Sequence, residues 1–408
     1  MRSQPTRTSR VPLLLVAGLP EEPVTAVTDA VRATDPRGTA VVHHDLRTLP
    51  EGVLRRHVRH GEAVDTAVLE LAHGCVSCTL REDFLPLLRR LARTPGVRRI
   101  VVRLDPALEP EAICWAIEHV VVDDAPVAED VEVRAALAVV DLPSWLDDAG
   151  GDEELRERGL GGSADDERTV AQVAVGQVEF ADAVVLSGEA ERWRARRTEA
   201  VLARLAPTAP RAALGELDVP ALLDRIPADA RRGAVDGAHG PLLRGQPPME
   251  PVAGVAVVLF EQRRPFHPER LHEALDALLD GVVRARGRAW VAGDPDSVLW
   301  LESAGGGLHL GHAGPWLAAL PPERWAEVPV EQRLRASLHW DEHYGDRMQE
   351  LVVLVHEADP GDVLRALRGA LLTDDELASG EQAWRAPAES AITWHEDPCE
   401  PAPRDQHG

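Results

Sequence analysis

Two thiols, Cys75 and Cys78, stand three residues apart in the segment AHGCVSCTLRED, residues 72–83. A pair at this spacing can bind a soft metal as thiolates, cycle as a dithiol, or simply pack. Redox use calls for a thioredoxin-like context, which the longer sheet read below does not supply. Two thiolates also leave a tetrahedral zinc site two ligands short. His73, beside the pair, and His43, His44 and Asp45, at the end of an apolar run, are the donors at hand. Thr79 and Glu82 have capping-box spacing, which predicts a helix beginning just after Cys78. Its dipole and the neighbouring Arg81 would favour the thiolate there. Cys114, within EAICWAI, reads as core. The tail groups His395, Glu396, Asp397 and Cys399 read as disordered decoration, with a metal hook as the alternative. No Ser-His-Asp order, Gly-x-Ser-x-Gly elbow or His-Glu-x-x-His helix offers a separate catalytic constellation.

The elements that must position these groups follow from hydrophobic patterning. Val11–Leu19, Thr39–His43, Ala67–Leu71, Arg99–Leu104, Ala135–Asp141 and Ala183–Leu186 read as strands, most of them buried on both faces. Helical patterns fall between them at Val24–Ala33, Leu80–Ala92, Glu111–Val121, Arg168–Glu179 and Ala190–Leu205. The alternation predicts an α/β fold, a mostly parallel sheet with helices on both faces and ligands at the strands' carboxyl ends. The acidic, Gly-rich stretch Asp147–Glu167 reads as a solvated loop. Residues 227–251 lack periodicity and read as a linker. A smaller α+β module follows over 252–380, with strands at Gly254–Phe260, Gly287–Ala292, Leu308–His312 and Leu351–His356. Its helices are expected at His267–Leu279 and Pro360–Leu372, the latter capped by Asp359. Residues 387–408 read as a flexible tail.

Composition narrows the function classes. The chain has 408 residues and a formal charge of -24, which disfavours nucleic acid and anionic membrane as partners and favours a protein or a cation. Four cysteines make no disulfide framework and suggest a reducing compartment. Val11–Leu19 is short for a secretory signal, and no run approaches the ~18 apolar residues of a membrane span. The expectation is a soluble cytoplasmic protein. All 44 basic residues are arginine, and asparagine is absent.

With the motifs placed, the chain resembles the CobW family of P-loop GTPases, whose members act in metal homeostasis as zinc or cobalt chaperones. GCVSCTLREDF is similar to that family's Gly-Cys-x-Cys-Cys-Thr-x-Arg-x-Asp segment. RRPFHPERLHEALDALLDGVVRARGRAWVAG and GDRMQELVVLVHEADPGDVLRALRGALLTDDEL resemble the opening and the closing strand and helix of its carboxyl-terminal domain. The resemblance covers about residues 11–380. It implies a G domain over 11–226, a CobW carboxyl-terminal domain over 252–380, zinc as the metal, and GTP with magnesium as the switch.

The departures fall on the switch. A P-loop needs Gly-x-x-x-x-Gly-Lys-Ser/Thr, so that backbone curls around phosphates and lysine neutralises them. In its place stands GLPEEPVT, in which Gly18 and Thr25 match the first glycine and the magnesium-binding hydroxyl. Pro23 and Val24 replace the second glycine and the lysine, and Glu21 and Glu22 add negative charge. SGEA, residues 187–190, stands where the family reads guanine with Asn-Lys-x-Asp, and RLDP, residues 103–106, stands for Glu-Thr-x-Gly. The resulting expectation is a CobW-like zinc-binding, partner-docking protein with a degenerate G domain. Cys75 and Cys78 are its metal thiolates, with His73, His43, His44 and Asp45 as further candidates. A divergent GTPase using Arg81 or Arg103 for phosphate charge is the runner-up, and a scaffold without metal is the third reading.

Overall fold

The computed structural model describes residues 10–71, 75–160, 163 and 166–385. They form two compact units. One unit takes in the chain up to Val235 with Leu243–Ala256 and Ala304–Gly307; the other takes in Asp236–Leu242, Val257–Ser303 and the chain from Leu308 onward. Residues of the expected linker fall in both.

The first unit is α/β. Its strands are β1 (Val11–Ala17), β2 (Thr39–Asp45), β3 (Val53–His60), β4 (Ala63–Glu70), β5 (Arg99–Arg103), a small hairpin of β6 (Val121–Val122) and β7 (Ala125–Pro126), then β8 (Val131–Asp141), β9 (Ala183–Ser187) and β10 (Arg211–Ala213). Eight of them form one sheet in the order β10-β9-β8-β1-β5-β2-β3-β4. The pairings from β10 through β2 are parallel, whereas β3 and β4 are added as an antiparallel hairpin at the edge. The central parallel strands β1, β5, β8 and β9 carry buried apolar runs because both of their faces are covered. Leu14, Val16 and Val101 pack against Val24, Val27 and Val31 of helix α1 (Glu21–Ala33) on one face. Leu13, Leu15 and Val102 on the other face meet the segment made of α2 (Val76–Thr79), a π-helical turn (Leu80–Phe84) and α3 (Leu85–Ala92), together with α4 (Pro110–His119).

Two strand expectations are corrected here. The strand read at Ala67–Leu71 runs over Ala63–Glu70, and β3 precedes it unannounced. On β3 only Leu54 and Val58 are buried, while Arg55, His57 and Arg59 face solvent, so hydrophobic patterning gives little signal. The stretch read as a loop from Asp147 begins inside a helix, Trp145–Gly150, with Trp145, Leu146 and Ala149 buried.

The second unit holds a five-stranded sheet of β11 (Ala256–Gln262), β12 (Val282–Val291), β13 (Asp294–Ala304), β14 (Gly307–Pro315) and β15 (Gln349–Val355), ordered β11-β15-β12-β13-β14. β12 and β15 are antiparallel. β13 was missed and β12 begins five residues before the expected Gly287, because Arg284, Arg286 and Arg288 interrupt its apolar pattern. The helix Pro360–Ala370 is capped as its sequence predicts, the Asp359 carboxylate accepting from the N–H groups of Gly361 (2.7 Å) and Asp362 (3.3 Å). Trp290 and Trp316 are fully buried in this unit's core.

Candidate functional site

The carboxyl ends of β1, β5 and β2 lie level, Arg103 pairing with Val16 on one side and His43 on the other. Gly18 leaves β1 where a Cβ would stand 2.7 Å from the Val139 carbonyl oxygen and 2.8 Å from a Val24 methyl, so only glycine fits. Helix α1 then starts with Glu21 and Glu22 in its first turn, carboxylates at the positive end of the dipole. Pro23 offers no N–H. Val24 is 2% exposed and packs into the core rather than into the loop. The Thr25 hydroxyl donates to the Glu21 carbonyl (2.8 Å) and accepts from Arg103 Nη1 (2.5 Å). Arg103 Nη2 lies 3.8 Å from the Glu21 carboxylate. A guanidinium from β5 therefore closes over the hydroxyl, with its charge answered from the loop itself. Burial lowers the Arg103 pKa, and Glu21, Asp105 and Asp45 act against that. The cleft between Gly18, Glu21, His43, Asp45 and Arg103 has a volume of about 60 Å³. Ordinary small-molecule sites hold roughly 300–1,000 Å³.

The His43-His44-Asp45 run does not converge, because successive side chains of a strand point to opposite faces. His43 faces the α1 side, where its Nδ1–H donates to the Arg103 carbonyl (3.1 Å) and its ring stacks on His57 with centroids 6.1 Å apart. Burial, helped by the Arg103 charge, lowers its pKa to about 4. Asp45 shares that side and accepts from the backbone N–H (3.0 Å), Nε (2.9 Å) and Nη2 (2.6 Å) of Arg47, whose hydrogen bonds hold the carboxyl at about 2. His44 points the other way. It is 4% exposed, with Nε2 2.8 Å from Asp83 Oδ2 and its ring edge-on to Phe84 at 5.5 Å.

The cysteine helix begins earlier than predicted. Cys75, not Thr79, is the N-cap: its Sγ accepts from the Cys78 N–H at 3.3 Å, and α2 starts at Val76. Thr79 is buried inside the helix, its hydroxyl donating to the Cys75 carbonyl (3.2 Å). Burial of this side chain overrides the capping-box pattern. Both thiols are half-buried, whereas Cys114 is fully buried and burial pushes its pKa up.

β4 runs in the same direction as β2 and ends at the same edge, but β3 lies between them. Two strand spacings, about 10 Å, therefore separate the histidine run from the strand that leads to the thiols. What bridges them is Asp83. Its carboxylate meets His44 on β2 and Arg56 on β3, fastening the π-turn to the sheet. Burial pushes the Asp83 pKa up, but His44 and Arg56 outweigh it and the net shift is downward. His73 lies outside the described residues, as does the tail. Among the described residues no three His, Cys, Asp or Glu side chains are grouped to hold a metal ion.

Sequence reasoning missed Asp83 and Asp105. Asp105 is 4% exposed, accepts from the N–H groups of Leu46 (2.9 Å) and Ala107 (3.0 Å), and is pushed up to about 6 by burial. Its position two residues beyond β5, at the carboxyl edge, was the available signal.

Comparison with known proteins gives two matched domains. The CobW/HypB/UreG nucleotide-binding domain matches residues 25–210, and the cobalamin synthesis protein cobW C-terminal domain matches residues 255–371. The chain is 47% identical over 402 residues, 97% of its length and 96% of the relative's, to a zinc chaperone of Mycobacterium tuberculosis. A zinc-regulated GTPase metalloprotein activator of Dictyostelium discoideum is 26% identical over 329 residues, 78% of this chain and 69% of that one. Among solved structures, Zn(II)-bound YjiA GTPase from E. coli is 15% identical with a TM-score of 0.36, covering 90% of this chain and 100% of that one.

Proposed function

The chain belongs to the CobW family, joining a CobW/HypB/UreG nucleotide-binding domain to a CobW carboxyl-terminal domain, and from that premise we propose that it is a zinc-handling protein whose nucleotide switch has been dismantled. The observation that carries this reading is the closure of the β1–α1 loop. Where a triphosphate would need backbone donors and a lysine, the loop has a proline, a core valine and two carboxylates, and Arg103 occupies the remaining space. GTP and magnesium do not fit this set of groups. The names of the relatives support zinc as the cargo.

Cys75 and Cys78 are the thiolates that would carry the metal, with His73 as the nearest further donor. His44 is engaged by Asp83, and His43 and Asp45 face the other side of the sheet. An incomplete ligand set suits transfer, the remaining ligands coming from a client protein in a reducing, cytoplasmic setting.

Titration calorimetry of reduced, metal-free protein with zinc tests this reading, with and without GTP and magnesium. We expect zinc binding that is lost in the Cys75→Ser/Cys78→Ser double variant and is unchanged by nucleotide. Serine at 75 still caps α2, so the loss would report ligation rather than unfolding. No zinc binding would overturn the metal role and leave a scaffold. The divergent-GTPase reading has one observation in its favour, the Arg103 guanidinium already inside the loop; a nucleotide-dependent zinc affinity abolished by Arg103→Ala would establish it.

A further inference from the structure

The helix Val330–His339 of the second unit is inside out. A surface helix normally turns its apolar stripe to the core and its polar side to water. Here the buried residues are Gln332, Arg335 and Ala336, and the three large apolar side chains face solvent. Val330, Leu334 and Leu338 are 54%, 60% and 81% exposed. Spaced by four residues, they form one continuous ridge, the row that packs into the grooves of another helix. Trp340, 45% exposed, follows the ridge and stands edge-on to Trp325 at 5.4 Å.

The inner face is held by polar contacts. Gln332 Nε2 donates to the Pro315 carbonyl (2.8 Å) and Arg335 Nε to Glu350 (2.9 Å), while both Arg335 Nη atoms are buried without a hydrogen-bond partner. Of the helix's own apolar side chains only Ala336 is buried, so most of its apolar surface stays in water. Charge selects what can cover the ridge. Between Pro321 and His343 the exposed carboxylates are Glu323, Glu327, Glu331 and Glu342, against the guanidiniums of Arg324 and Arg333. Arg324 is already paired with Glu327 (2.9 Å). A second copy would bring the same carboxylates and a charge of -24. The residues beyond 385 carry five carboxylates, Glu389, Glu396, Asp397, Glu400 and Asp405, and one arginine, Arg404. Neither complements an acidic surface; a cationic partner does.

We propose that this ridge docks a basic amphipathic helix of a protein partner. The partner's apolar stripe lies on Val330, Leu334 and Leu338, and its lysines or arginines face Glu331, which borders the ridge. Eight residues of helix make the ridge about 12 Å long, and anchors at spacings of three and four are what a docked helix presents to such a surface. Leu338, the most exposed of the three, and Trp340 beside it are the anchoring side chains on this protein. The inference uses no property of the thiols, and its test contains no zinc, so it stands or falls separately from the metal reading.

Fluorescence anisotropy of a labelled synthetic amphipathic helix made of leucine and lysine, titrated with the full chain under reducing, zinc-free conditions, reads the docking. At ~0.15 M salt a Kd of about 10–100 μM is expected, and the leucine–glutamate counterpart of the peptide should not bind. Leu334→Gln/Leu338→Gln should weaken binding roughly tenfold with an unchanged thermal transition, since both side chains are exposed in the free protein. Glu331→Gln should weaken it about threefold and flatten its salt dependence. Hydrogen exchange at residues 330–339 should slow when the peptide binds. An affinity untouched by Leu334→Gln/Leu338→Gln would mean attraction by net charge alone and overturns the proposal. So does an absence of binding up to about 500 μM. A sedimenting mass that falls on Leu334→Gln/Leu338→Gln would make a second copy the cover. A roughly tenfold gain in peptide affinity in Ile392→Ser/Trp394→Ser would make the residues beyond 385 the cover. Either of these results overturns it as well.

Discussion

Arg103 hydrogen-bonds to Thr25 and lies beside the Glu21 carboxylate in the β1–α1 loop, and single substitutions separate these contacts. Arg103→Ala removes the bond to Thr25 and the ion pair to Glu21. A thermal melt should register a loss of about 1.5–3 kcal/mol, the scale of a charged hydrogen bond. Restoring the lysine by Val24→Lys should cost more, roughly 3–5 kcal/mol, because the new charge would be buried without a partner. Two neighbours titrate in opposite senses. Burial raises Asp105 from 3.8 to about 6, so its contribution to stability is full below pH 3.8 and is lost as pH rises through 6. Burial lowers His43 from 6.5 to about 4, so its contribution is full above pH 6.5 and is lost as pH falls through 4. Between pH 4 and 6 the two slopes nearly cancel. Stability measured by denaturant from pH 4 to 7 should therefore fall more steeply on acidification in Asp105→Asn than in the parent. In His43→Gln it should fall less steeply. Each difference should approach about 3 kcal/mol across the window, and parallel curves for all three proteins would show that neither group is perturbed.

At the scale of elements, the cysteine helix is held by a clamp rather than by its cap alone. Asp83, in the π-turn, engages two partners on different strands: His44, 4% exposed, and Arg56, 12% exposed. Asp83→Ala leaves both without their carboxylate. A loss of roughly 3–5 kcal/mol is expected, the cost of breaking a buried pair from one side. Hydrogen exchange should localise the loosening to residues 75–92. Uniform exchange would mean that the clamp is a surface pair of little consequence. The same geometry explains why the histidine run and the thiols stay apart. β3 is inserted between the strands that carry them, and the alternation of β2 divides His43 and Asp45 from His44.

At the scale of the molecule, any ligand that binds only the native state raises the melting temperature. Millimolar GTP with magnesium is expected to leave the transition in place. A rise of several degrees would mean that the β1–α1 loop opens to admit nucleotide. No helix among the described residues is long and apolar enough to cross a membrane. The strong negative charge then acts mainly on association, favouring contact with cationic or arginine-rich surfaces over anionic ones.

The sequence by itself determined the alternating α/β architecture, the Gly18 turn, the loss of lysine and of the second glycine, and the family, because these depend on local residue type and on periodicities of 2 and 3.6. It did not reveal β3, whose Arg55, His57 and Arg59 face solvent and leave only Leu54 and Val58 to mark a strand. It placed the helix start four residues late, because Thr79 matches a cap pattern but is drawn into the core. The roles of Arg103, Asp105 and Asp83 were decided only by tertiary structure. Each acts on residues about 20 to 80 positions away in the chain, and strand order and register bring those partners to the same sheet edge.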